Sequence, residues 1–237
     1  MYDKWQKIWS EKKQVKDKNI SLGSLIEADG FDTGVGSYTP KSWEMMVTDF
    51  CNRVKLKDTD NVIEIGCGSG AFIYAANDIC KANWCGIDYS ESLIRTAKNA
   101  IPNGTFIVDE AVNQNFSETL FDVAFSHSVF HYFPNKDYAE ACLKIWCSKL
   151  KTNGHLVLLD INDSKKEQTY YSGRAKKYCS LEEYEKNYMG LNHLFFDKIE
   201  LTSFLTNIGM SAFEFFPHKV SDYGNAEFRF NLSCKKC

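Results

Sequence analysis

Three glycines at alternating positions, Gly66-Cys67-Gly68-Ser69-Gly70, close the apolar run Asn61-Val62-Ile63-Glu64-Ile65, and this stretch constrains the fold more than any other. The run reads as a buried strand, and the glycines as a tight turn into a helix beginning near Ala71. Residues without a Cβ let the backbone take positive φ and lie against a ligand, while the first N–H groups of the helix face outward. A nucleotide-like cofactor suits such a turn.

From Val62 onward strand-like and helix-like segments alternate, the pattern of a doubly wound α/β sheet with helices on both faces. Expected strands are Val62 to Ile65, Trp84 to Ile87, Thr105 to Val108, Asp122 to Ser126, His155 to Asp160, Ser211 to Pro217 and Glu227 to Ser233. Helices are expected at Trp43 to Val54, at Ser90 to Asn99 with Ser90 as N-cap, at Tyr138 to Leu150, and at Lys198 to Ile208 closed by Gly209. The segment Ile161 to Phe196 breaks the rhythm with polar residues, Lys165, Lys166, Lys176 and Lys177 among them, and five tyrosines (170, 171, 178, 184 and 188).

With 44% hydrophobic and 25% charged residues in 237, the composition is that of an ordinary globular chain with one sizeable core, and a single domain is expected. Net charge is −3 and Lys and Arg form no face-sized cluster, so nucleic acid is not an expected partner. No run reaches the length of a membrane span and the N-terminus lacks signal-peptide character, so a cytoplasmic protein without membrane partners is expected. The nine cysteines are odd in number and scattered, which suits free thiols; the lone Cys234-Lys235-Lys236-Cys237 pair has no second ligand pair, so no metal is expected.

The glycine turn satisfies two fingerprints. As G-x-G-x-x-A it is a dinucleotide motif for NAD or FAD, and as E-x-G-x-G-x-G, with Glu64 two places ahead of Gly66, it resembles the first motif of the class I S-adenosylmethionine (SAM) methyltransferases. Glu64 favours the second, because SAM carries an ammonium and a sulfonium where a dinucleotide carries a pyrophosphate. Asp88 closes the next strand where either cofactor presents ribose hydroxyls. Further resemblances follow in the family's order over roughly residues 40 to 233. Phe106 to Ala111 matches the segment that meets adenine, through Asp109 or Glu110. Phe121 to Pro134 matches the fourth motif, and Leu150 to Leu156 stands in place of the family's L-x-P-G-G turn.

The resemblance implies a Rossmann-like seven-stranded sheet, mostly parallel with the last strand antiparallel, an N-terminal helical cap over 1–55 and a lid insert over 161–196. It implies SAM held by Glu64, Gly66, Cys67, Gly68, Gly70, Asp88, Tyr89, Asp109, Glu110, Ala111 and Ser126. The expected reaction is methyl transfer to a hydroxyl or amine of a small polar acceptor, in a monomer or homodimer. The alternatives are an NAD-dependent oxidoreductase or a non-catalytic binder of the same fold. In the sugar O-methyltransferases of this superfamily the positions matching His131 and Asp160 are catalytic, so His131 would take the acceptor proton and Asp160 would orient it. The competing reading packs His131 beside Phe130 and Phe133 and makes Asp160 a loop cap. His127, at the strand end where the methyl should emerge, is a second candidate base and acceptor contact, and Tyr38, Tyr170 and Tyr171 are expected to line the acceptor side.

Overall fold

A computed structural model describes the chain apart from residues 1–3, 13, 16–19, 33, 114–115, 117–118, 176–181, 184–185, 187–190 and 221. The N-terminal part is helical: α1 (Lys4–Ser10), α2 (Leu22–Ala28) and α3 (Pro40–Val54) precede the first strand. Then follow β1 (Asn61–Ile65), α4 (Ala71–Ile79), β2 (Asn83–Asp88), α5 (Glu91–Ala100), β3 (Thr105–Val108), β4 (Phe121–His127), α6 (Lys136–Ser148) and β5 (Leu150–Asn162). The C-terminal part comprises α7 (Glu167–Ala175), α8 (Lys198–Asn207), β6 (Met210–Phe216) and β7 (Arg229–Lys236).

Seven strands form one sheet in the order β3-β2-β1-β4-β5-β7-β6, and only β7 runs antiparallel to its neighbours. Alternate side chains of each strand enter opposite cores, as the strand period of two requires. Val62, Val123, Phe125, Val157 and Leu159 pack with α2, α3, α4 and α5 on one face. Ile63, Ile65, Ala124, Leu156 and Leu158 pack with α6 and α8 on the other. Because β1, β2, β3 and β4 are mutually parallel, their last residues share one edge, and this edge carries the site.

Several boundaries differ from the sequence reading. The segment from Leu150 to Gly154, expected as a turn, is the start of β5, with a register shift against β4 and Asn153 at φ 63° absorbing the irregularity. Helix α6 begins at Lys136, capped by Asn135, whose side chain accepts from the Tyr138 N–H. Ser90 sits at the N-cap of α5 but its hydroxyl makes no capping bond; Asp88 Oδ1 takes the Ser90 N–H instead. Gly209 does close α8, at φ +84°. Strand β7 runs to Lys236, three residues beyond expectation.

Candidate cofactor and acceptor site

At the ends of β1 to β4 lies a cavity of about 230 Å³. The glycine turn forms its floor, with Gly66 at φ +75° and Gly68 at φ +52°, a region costly for residues with a Cβ. A Cβ on Gly66 would lie 2.5 Å from a Val129 methyl, and one on Gly68 would collide with the carboxylate of Asp29.

Every N–H from Gly66 to Gly70 already has an acceptor within the protein. Gly66 and Cys67 donate to the Ile87 carbonyl (2.8 and 3.0 Å) and Gly70 to the Cys67 carbonyl (2.9 Å). Gly68 donates to Asp88 Oδ2 (2.9 Å) and Ser69 to Asp29 Oδ1 (2.7 Å). A pyrophosphate bound in the dinucleotide manner needs such N–H groups free. Here backbone carbonyls take three and carboxylates the other two, so at Gly68 and Ser69 acids stand where outward-facing amides are expected.

Two buried acids, Glu64 and Asp29, and the half-buried Asp88 thus face the cavity. Glu64, 3% exposed, has an Oε2 with no hydrogen-bond partner among the described residues. Burial raises its carboxyl well above the usual range, and the negative neighbours Asp29 and Asp88 raise it further. Burial pushes Asp29 up to about 7 despite its bonds from the Ser69 N–H and hydroxyl, and Asp88 up to about 6. An unpaired acid and an acid-lined floor fit a cationic ligand and oppose an anionic one. At the β3 end the carboxylate of Glu110 accepts from Gln6 Nε2 of α1 and from the Tyr138 hydroxyl of α6 (2.8 Å).

A family model described as a methyltransferase domain matches residues 56–207. The chain belongs to this SAM-dependent methyltransferase family. Among solved structures, magnesium protoporphyrin IX methyltransferase from Synechocystis PCC 6803 with bound SAM superimposes with a TM-score of 0.61 at 13% identity, covering 94% of this chain and all of that one. The N-methyltransferase NodS of Bradyrhizobium japonicum, solved with S-adenosylhomocysteine, gives 0.58 at 15% identity over 83% and 86% of the two chains. Among curated relatives, the tRNA (carboxymethyluridine(34)-5-O)-methyltransferase of Saccharomyces cerevisiae is 27% identical over 96 residues, 40% of this chain and 33% of that protein. The 235L protein of Invertebrate iridescent virus 6, named as a methyltransferase, is 28% identical over 47% of this chain and 46% of its own. The match therefore spans less than half of either curated relative.

In the methyltransferase, ten of the residues singled out in the sequence line the cavity: Glu64, Gly66, Cys67, Gly68, Asp88, Tyr89, Asp109, Glu110, Ala111 and His127. Gly70 lies behind them as the N-cap of α4, and Ser126 turns its hydroxyl onto the Ile65 carbonyl (2.9 Å). His127 sits among the rings of Phe31, Trp43 and Phe72, with centroids 5.1 to 5.8 Å away, and its Nε2 has no partner among the described residues. Burial lowers its imidazole to about 4.

His131 and Asp160 are not among the lining residues. The Nδ1 of His131 is 2.9 Å from Arg229 Nη1, so a permanently charged guanidinium occupies the lone pair a base would need. Burial first, and Arg229 second, hold this histidine well below its ordinary value. Asp160, at φ +62° and fully buried, accepts from the Tyr223 hydroxyl (2.8 Å) and the Ser128 hydroxyl (2.7 Å), with Arg229 at 3.8 Å and His218 at 3.3 Å. Burial alone would raise its carboxyl, yet Arg229 and His218 hold it well below the carboxylate range.

Tyr38, Tyr170 and Tyr171 are not among the described lining residues, although the Tyr38 ring lies 6.1 Å from that of His127. Tyr38 stacks on Tyr223 at 4.3 Å, and Tyr170 and Tyr171 pack around His193 and Phe195. Tyr178, Tyr184 and Tyr188 lie outside the described residues. Helix α1 contributes Gln6 and Trp9 to the lining, the latter edge-on to Tyr132 at 5.4 Å. The sequence reading missed α1 and Asp29 as cavity elements, placing both only within an N-terminal helical cap over 1–55.

Proposed function

We propose that this methyltransferase transfers the SAM methyl group to a hydroxyl or amine of a small acceptor bound beside His127. The observation that carries the reading is the unpartnered Nε2 of a cavity-lining histidine at the β4 end, boxed by Phe31, Trp43 and Phe72. A neutral imidazole, which His127 is at any pH well above 4, accepts a proton or a hydrogen bond from an attacking hydroxyl or amine.

When bound, SAM supplies an electrophilic methyl on a sulfonium, and the protein's share is alignment and exclusion of water. Glu64 and Asp88 suit its cationic and ribose groups, and Asp109, Glu110 and Ala111 its adenine, as the family resemblance implies. The aromatic box excludes water around His127, and α1 covers the β3 side through Gln6 and Trp9. His131 and Asp160, earlier candidates for base and orienting acid, act through Arg229 and Ser128 as supports of the β4 and β5 ends.

Incubation with methyl-labelled SAM and panels of small phenols, alcohols and amines, with total tRNA as a separate arm because of the yeast relative's name, tests the acceptor. His127→Gln should lower turnover by about a hundredfold or more with SAM affinity retained. Label passing only to tRNA, or turnover indifferent to His127→Gln, refutes the reading.

A further inference from the structure

Asp29 belongs to none of the family-like motifs, yet it is the acid most tightly built into the glycine turn. It stands at the C-terminal end of α2, whose carbonyls of Leu25 and Glu27 take its own N–H. Its two carboxylate oxygens accept from the Ser69 N–H (2.7 Å) and the Ser69 hydroxyl (2.9 Å), and that hydroxyl also lies 3.1 Å from the Leu25 carbonyl. The carboxylate fills the space that a Cβ on Gly68 would need. It also lines the cavity, next to a Glu64 that is 3% exposed and keeps one oxygen without a partner among the described residues.

Glu110 and Asp88 stand at the β3 and β2 ends, the side that the family resemblance gives to adenine and ribose, whereas Asp29 is bonded to the glycine turn that leaves β1 and has Glu64 of β1 as a charge neighbour. With the nucleoside assigned to β3 and β2 in this way, its 5′ substituent would fall to the turn and its two acids. That substituent is the aminoacyl chain in both SAM and its demethylated product.

We propose that Asp29 is a further cofactor-binding carboxylate, delivered by the N-terminal cap to the ammonium of the aminoacyl chain, so that cofactor affinity depends on α2 being seated on the glycine turn. The proposal rests on the SAM reading and is independent of the acceptor. The charged and titratable groups facing Asp29 are Lys12 from the segment after α1, Glu64 from β1, Cys67 from the turn and Asp88 from β2. Only Lys12 among them is a cation, and a bound ammonium supplies the second positive charge that the acids lack.

The test is Asp29→Asn in the full chain. The amide is isosteric: its oxygen accepts from the Ser69 N–H, and its NH2 donates to the Ser69 hydroxyl, which keeps the Leu25 carbonyl as acceptor. Calorimetric titration with SAM, S-adenosylhomocysteine and 5′-methylthioadenosine separates the ammonium from the nucleoside, since the last lacks the aminoacyl chain. The variant should bind the first two about tenfold or more weakly. It should bind 5′-methylthioadenosine within about twofold of wild type, and its ligand-free form should melt no lower at pH 8. Equal weakening of all three ligands, or unchanged affinity for all three, overturns the assignment. A wild-type protein that fails to bind SAM would remove the cofactor reading and this proposal together, whereas a loss confined to the variant speaks to Asp29 alone.

Discussion

Replacing Asp160 by Asn tests whether the buried polar cluster beneath the cavity is structural. Asp160 is fully buried, and its partners come from three elements: Ser128 after β4, Tyr223 and His218 before β7, and Arg229 at the start of β7. Arg229 is 9% exposed, and among the described residues its Nη1 meets His131 Nδ1 and the Asp160 carbonyl besides the carboxylate. Removing the negative charge therefore leaves a buried cation without a counter-ion, a loss of about 3 to 5 kcal/mol. Set against a typical total of about 5 to 15 kcal/mol, this is at least about a fifth of the stability. A chain of this length should then melt roughly 10 °C lower. Urea denaturation at pH 7 of wild type, Asp160→Asn, Arg229→Met and the double variant measures the coupling. The double variant should recover much of the loss, with a coupling above about 1.5 kcal/mol. Because the folded carboxyl is held below its unfolded value, this contribution is present above about pH 4 and is lost as pH falls through the folded value, so the variant should lack that acid-side loss. Losses below about 1 kcal/mol, or additive variants, would refute the reasoning. So would a folded Asp160→Asn protein with intact SAM affinity but turnover lowered a hundredfold or more, which would return Asp160 to the catalytic role expected from its strand-end position.

Other outcomes follow from the same geometry. Glu64→Gln should weaken SAM binding by about tenfold while stabilising the ligand-free protein at neutral pH, readable as a higher melting temperature without ligand and a smaller shift with it. Gly68→Ala, at φ +52° and against Asp29, should cost roughly 1 to 3 kcal/mol and abolish cofactor binding in a titration. The folded values of Asp29 and Asp88, about 7 and 6, lie above the unfolded 3.8, so their stabilising share is full below about pH 4 and declines as pH rises toward 7. His127 has the opposite sign: its folded value near 4 lies below the unfolded 6.5, so it lowers stability as pH falls from 6.5 toward 4. A melting series from pH 4 to 8 should accordingly show Asp29→Asn gaining on wild type with rising pH, by at most about 4 kcal/mol at pH 8; a constant difference would contradict it.

What the sequence disclosed follows from how local each feature is. The strand, glycine turn and Glu64 are adjacent in the chain, and Asp88 lies one crossover away, so spacing alone placed them. Asp29 reaches Ser69 over 40 positions and Gln6 reaches Glu110 over 104, contacts that no local pattern encodes. His131 and Asp160 are catalytic candidates by their places at strand ends. A partner they share, Arg229, arrives 98 and 69 positions later on a strand inserted between β5 and β6, which no local pattern reveals. The tyrosines after β5 had the composition of a lid, but Tyr170 is 2% exposed and anchored to His193 and Arg174, so packing claims it.

Gly66 and Gly68 leave no room for a side chain because Val129 and Asp29, not a ligand, occupy the space. Selection for folding alone would then preserve both glycines in a descendant that had lost its chemistry, and the motif would outlive the enzyme. The informative mark of a working relative is the neighbouring acid, since an unpaired Glu64 weakens the free protein and is worth keeping only where a cation arrives to meet it.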